Sequence, residues 1–236
     1  MEEKYPIEIT EKREVKRITV KQSITDFLDA FNVERGLIFT LKLLFAKPGK
    51  LVRFYLTNGR FKIVNAFRLL IITTTVSLII LNYTSSFQEL YSVHGDNPEE
   101  TEELSNLMGK LFTDWYNLVL WAAIPCFALF GFLFLKKYER FNYAEHLVIQ
   151  SFYFSASNIF YIVCSPLGFL FGIKIVFIVS TILSTFYYIF LYWDIYKVRK
   201  FGFFLRTIFA VFFGMILYFL LLAIGMIGFF AAKMNS

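Results

Sequence analysis

Apolar positions recur along this chain with two rhythms. Before residue 63 they return every three to four positions between charges, the spacing of an amphipathic helix. After it they run on in stretches long enough for a helix of about 20 residues, which crosses roughly 30 Å of hydrocarbon. Such stretches lie near residues 64–83, 116–135, 147–167, 173–192 and 207–230. The third and fourth are parted only by a turn around Ser165, Pro166, Leu167 and Gly168, which makes them a helical hairpin. The pattern predicts an all-α integral membrane protein: a bundle of five transmembrane helices preceded by cytoplasmic amphipathic, interfacial helices.

Three regions follow. Residues 1–22 form a charged cytoplasmic arm, with Ile7, Ile9, Val15, Ile18 and Val20 scattered among Lys, Arg and Glu. Residues 23–62 hold the amphipathic helices, and residues 63–236 hold the transmembrane domain. Ser23 and Asp26 resemble a capping box, after which Ile24, Phe27, Leu28 and Phe31 keep helical spacing. Leu37, Ile38, Leu41, Leu44 and Phe45 repeat it in a run too short to span. Pro48 disfavours helical geometry at Lys47, so a new helix is expected to start there, with Gly49 as a flexible joint. Its apolar face is Leu51, Val52, Tyr55 and Leu56, flanked by Lys50, Arg53, Arg60 and Lys62. Cations around an apolar face just before a span suit an in-plane helix touching head groups. The other reading is a helical hairpin that packs on a membrane domain.

Composition agrees with the hydropathy. With 57% hydrophobic and 20% aromatic residues, 31 of them Phe, the chain has more apolar surface than a water-soluble domain could hide. The net charge of +6 sits beside the spans, which points to anionic lipid head groups rather than nucleic acid. All 24 Lys and Arg residues except Lys110, Lys174 and Lys233 fall on the side of the N-terminal arm and the loops near 136–146 and 194–206. The positive-inside rule then puts the N-terminus in the cytoplasm and the C-terminus outside. Residues 1–21 lack the apolar core of a signal peptide. The loop of residues 84–114, with seven acidic residues against Lys110, is expected outside, where it either gathers cations or forms a solvated helix.

Little in the sequence promises chemistry. The only histidines, His94 and His146, fall on opposite sides of the expected bilayer, and Cys126 and Cys164 each sit in an apolar stretch. No phosphate loop, His-x-x-x-His pair or paired-cysteine motif occurs, so neither cofactor nor metal is expected and an enzyme is disfavoured. The third span is the most informative. At about 100° per residue, His146, Gln150, Tyr153, Ser157, Tyr161 and Cys164 share one arc, while Ser151, Ser155 and Asn158 share another. Two polar faces require protein or water on two sides, so this helix is expected at the centre of the bundle. Its stripe of Glu145, His146, Gln150, Tyr153, Ser157 and Tyr161 either hydrogen-bonds to neighbouring helices or lines a path for a small solute or proton, with His146 able to titrate near neutral pH. Ser180 with Ser184, Thr181 with Thr185, Ala210 with Gly214, and Gly225 near Gly228 allow close helix approach and self-association.

Several segments together resemble the bacterial membrane family catalogued as domain of unknown function 3667. They are residues 16–21 (Lys-Arg-Ile-Thr-Val-Lys), 31–36 (Phe-Asn-Val-Glu-Arg-Gly), Lys47-Pro48-Gly49 with Tyr55 and Gly59-Arg60, residues 142–147 (Asn-Tyr-Ala-Glu-His-Leu), and the chain from Tyr196 onward. Family members often begin with a zinc-ribbon-like segment that has no counterpart here, and Asn65 stands where a proline is common. The layout is also similar to the five-span Yip1-like proteins, an analogy of arrangement alone. The resemblance implies a bacterial inner membrane protein and brings no activity with it. The expected function is that of a scaffold or accessory protein that engages anionic lipid or a partner through Lys47, Lys50, Arg53, Arg60, Lys62 and Arg68. Homo-oligomers or a membrane-protein partner are compatible with it, and the alternative is a channel or small-solute transporter using the third-span stripe.

Overall fold

A computed structural model describes residues 36–57, 63–83, 120–138, 141–198 and 200–234. The charged arm, the helix expected near 24–31, the acidic loop, Arg60 and Lys62 lie outside the described residues. Among those described, every regular element is helical. In chain order these are α1 (Gly36–Ala46), α2 (Pro48–Leu56), α3 (Ala66–Tyr83), α4 (Leu120–Leu135), α5 (Tyr143–Cys164), a 3₁₀ turn (Ser165–Leu167), α6 (Gly168–Phe171), α7 (Ile173–Tyr196) and α8 (Phe201–Met234).

Four helical stretches are long and apolar enough to cross a membrane: Ala66–Tyr83, Tyr143–Phe171, Ile173–Tyr196 and Phe201–Met226. Helix α4, where a further span is expected, is shorter over its described residues than the roughly 20 a crossing needs. Helix boundaries depart from hydropathy wherever a polar cap sets them. α5 begins a turn early because Asn142 and Glu145 form a capping box: the Glu145 amide donates to Asn142 Oδ1 at 2.9 Å, and the Asn142 amide donates to Glu145 Oε2 at 2.7 Å. Asn65 starts α3 in the same way, its Oδ1 accepting from the Phe67 amide at 2.9 Å and the Arg68 amide at 3.4 Å. α7 runs a turn past its apolar stretch and stops where Lys197 turns left-handed at φ 53°.

α5 packs against several neighbours. On one face Asn158 Nδ2 donates to Thr74 Oγ1 at 2.9 Å and Thr73 Oγ1 at 3.4 Å, tying it to α3. On another, Ser157 and Ser184 hydroxyls meet at 2.9 Å, and Gln150 Nε2 donates to Tyr192 at 2.7 Å and Tyr188 at 3.2 Å, tying it to α7. α4 reaches the same helix where Gly131 lies against His146 and where Phe127 meets Phe154 edge-on. α8 is held through its first half: Phe203, Thr207, Ala210 and Gly214 are buried, and Gly214 lets the backbone close on Phe127. Much of the rest of its described surface is exposed and apolar.

The Asn158 contact is open to test. Asn158→Leu removes the donor that reaches Thr73 and Thr74 and is expected to cost about 0.6 kcal/mol, the average for hydrogen bonds between membrane helices, and about 1.7 kcal/mol at most. Thermal unfolding in detergent should register a lower midpoint, and an unchanged one would show that the bond contributes nothing net.

Candidate functional site

The starts of α3, α5 and α8 and the ends of α4 and α7 gather at one end of the bundle, where α1 and α2 also dock. What brings α2 there is a mutual capping of helix ends. A helix leaves its first amides and last carbonyls without partners of its own. Pro48 opens α2, and the next amide, Gly49, donates to Asp194 Oδ2 at 2.7 Å. Asp194 thus acts as an N-cap supplied from another helix, with its charge at the positive end of the α2 dipole. In return Arg53 donates from Nη2 at 2.6 Å and Nε at 3.2 Å to the Ile195 carbonyl, in the last turn of α7. Tyr187 treats α1 similarly, donating to the Leu44 carbonyl at 2.7 Å. Thr40 Oγ1 accepts from the Val64 amide at 3.0 Å and so fixes the approach to α3.

The close approach needs glycine. A Cβ on Gly49 would run into the Asp194 carbonyl, which is backbone and has little room to yield. Around this contact Leu51, Val52 and Tyr55 are buried, with Tyr55 edge-on to Phe152 of α5. The apolar face expected to meet lipid is turned into the protein.

The expected cations therefore divide. Lys47, Lys50 and Arg68 are exposed at this end of the bundle, while Arg53 is half-buried and donates to α7. Lys136, Lys137, Lys197 and Lys200 are exposed at the same end. Arg206 is half-buried, 5.9 Å from the Tyr138 ring centroid, and donates to the Phe134 carbonyl at 3.4 Å.

The polar stripe of α5 divides too. Glu145 forms the capping box with Asn142. Tyr153 stands edge-on to Tyr188 at 4.8 Å, Ser157 pairs with Ser184, and Tyr161 is buried with its ring beside Phe177. These residues meet α7 along its length. His146 and Gln150 are fully buried near the basic end, in a polar cluster with Tyr188, Tyr192 and Tyr196. His146 Nε2 lies 3.4 Å from the Tyr196 hydroxyl, and Phe132 and Phe141 meet the imidazole edge-on. Gly131 closes the cluster, since a Cβ there would come to 2.9 Å from His146 Nδ1 and 3.0 Å from the Tyr192 hydroxyl. Among the described residues, His146 Nδ1 and Gln150 Oε1 have no hydrogen-bond partner. No group of three or more His, Cys, Asp or Glu residues among those described could hold a metal ion.

The chain matches no protein-family model, no curated protein and no solved structure.

Asp194, Gly131 and the tyrosines of α7 did not emerge from sequence reasoning. Tyr188, Tyr192 and Tyr196 are spaced by four and so share a helix face, and Asp194 is the only acidic residue in α7. Both signals were present, yet neither names a partner.

Asp194→Ala and Gly49→Ala should both release α2. A hydrogen bond to a charged group contributes about 1.5–3 kcal/mol, so loss of Asp194 should raise the undocked population roughly tenfold or more. Limited trypsin digestion after Lys50 should accelerate accordingly in detergent-solubilised protein. Equal rates in native and variant chains would mean that the Asp194 contact does not hold α2.

Proposed function

We propose that the chain is a five-span, non-enzymatic protein of the bacterial inner membrane, with its N-terminus in the cytoplasm, its C-terminus outside, and a scaffold or accessory role carried by its basic end. One observation supports this most: Lys47, Lys50 and Arg68 project from elements braced against the bundle. Leu51, Val52 and Tyr55 have their partners inside, and Lys50 is the exposed side chain of α2. Fixed cations beside apolar spans recognise anionic head groups, each contributing about 1 kcal/mol at most. The fifth span is the apolar stretch near residues 116–135, of which α4 is the described part. Arg60 and Lys62 are part of the same basic stretch of sequence, and Arg53 contributes by holding α2 in place. The likeness to domain of unknown function 3667 is part of the same reading, since Lys47-Pro48-Gly49 and residues 142–147 surround the α2–α7 junction and the start of α5.

The test is selectivity for spin-labelled lipids in reconstituted protein. The native chain should prefer phosphatidylglycerol over phosphatidylcholine. Replacing Lys47, Lys50 and Arg68 by Gln should reduce that preference by up to about fivefold per base. No preference in the native chain, or an unchanged one in the variant, would overturn the proposal.

A second reading, a channel or small-solute transporter, is favoured by the buried His146 Nδ1 and Gln150 Oε1, which have no partner among the described residues. Leaving such a group unpaired costs about 1–3 kcal/mol, and a passing solute or proton would relieve it. On this reading, liposomes holding the native protein pass ions or small solutes between pH 5.5 and 8, and His146→Ala abolishes the flux. Silence in both removes the reading.

A further inference from the structure

The end of the bundle opposite the basic surface is built from the connection between α5 and α7. Its surface is unlike that of an ordinary loop. From Leu147 to Ile173 the chain has no charged residue. At the tip Val163 is 69% exposed, Phe169 79%, Leu170 75% and Phe171 60%, and α6 has no buried residue. The tip is held in shape by its backbone: the Gly172 amide donates to the Gly168 carbonyl at 3.0 Å, and Gly172 turns the chain at φ 81°. Beneath it, Cys164, Ile173 and Val176 are buried together with Tyr161 and Leu81.

Three observations decide what covers these side chains. First, several large apolar residues side by side are a surface that water does not favour. Secondly, α5 starts at its capping box and runs 22 residues, about 33 Å at 1.5 Å per residue. That length takes Cys164 to the far limit of a hydrocarbon layer roughly 30 Å thick, so the tip lies at its edge. Thirdly, Lys174 follows the tip directly and is exposed, where its long side chain can extend to head groups while its neighbours stay in the apolar layer.

We propose that residues 163–171 rest in the boundary between acyl chains and head groups of the leaflet opposite the basic end, with Phe169, Leu170 and Phe171 inserted and Lys174 on the head groups. The proposal rests on the span reading of α5 and α7. It gives the protein a lipid contact on each face of the membrane: electrostatic at one end and apolar at the other.

Spin-label accessibility tests it in full-length protein reconstituted into phosphatidylcholine and phosphatidylglycerol vesicles. Cys126→Ala and Cys164→Ala provide a background in which Phe169→Cys, Leu170→Cys or Ile182→Cys carries the label. Ile182, half-exposed on the middle of α7, reports on the span itself. The expected result is that oxygen collides with labels at the tip several-fold more often than a water-soluble nickel chelate does, at a shallower depth than at Ile182. Collision dominated by nickel at the tip, with a deep label at Ile182, would overturn the proposal and leave the span reading standing. Labels at the tip that are shielded from both reagents and broadened by a neighbouring label would also overturn it, assigning the tip to a second copy of the chain. Nickel access at Ile182 would overturn the span reading and the proposal together.

Discussion

The junction between α2 and α7 rests on one electrostatic fact: helix ends carry unpaired backbone groups that must find partners. Asp194 supplies the acceptor that the start of α2 needs, and Arg53 supplies the donors that the end of α7 needs. Each helix caps the other. Because the contacts are short and partly buried, they fix the position of α2, and with it the directions in which Lys47 and Lys50 point. Next to Asp194, Ile195 is fully buried and Tyr196 reaches His146 of α5 and lies with its ring 5.4 Å from that of Phe203 of α8. Three successive residues of α7 thus join the parts of the basic end.

Polar contacts inside the bundle serve a related end. Where neighbouring helices are as apolar as lipid tails, hydrophobic burial cannot decide which faces meet, and hydrogen bonds and close packing do so instead. Asn158 selects α3 through Thr73 and Thr74, while Gln150 and Ser157 select α7. Among the described residues α8 has fewer such links, and little of its apolar stretch is buried. It is fastened by small residues along its first half and meets its surroundings elsewhere.

Long apolar runs were legible in the sequence because hydropathy alone sets the length a span requires. Their ends were not. Asn142 and Glu145 lengthened α5, and a left-handed Lys197 set the end of α7, both by local hydrogen bonding that hydropathy does not weigh. The two polar faces of α5 were legible from their angular separation, and so was the close approach at Ala210 and Gly214. The face of α2 was not legible, because Leu51, Val52 and Tyr55 have the same spacing whether they meet lipid or protein. Gly49 was read as a joint, since the carbonyl that excludes a side chain there belongs to a distant part of the chain. His146 was noticed as a titratable group, but its enclosure by Gly131, Phe132 and Phe141 depends on α4 and on the approach to α5.

That distance has a consequence for how the protein is made. Gly49 and Asp194 are 145 residues apart in the chain. At 5–20 residues per second, roughly 7–30 s of synthesis separate the emergence of α2 from that of the carboxylate that caps it. Through that interval the first amide of α2 is without its cap while the first spans enter the bilayer. Docking therefore comes late in assembly and reports that translation has passed α7: a chain truncated before Asp194 presents its basic helices without the brace that orders them.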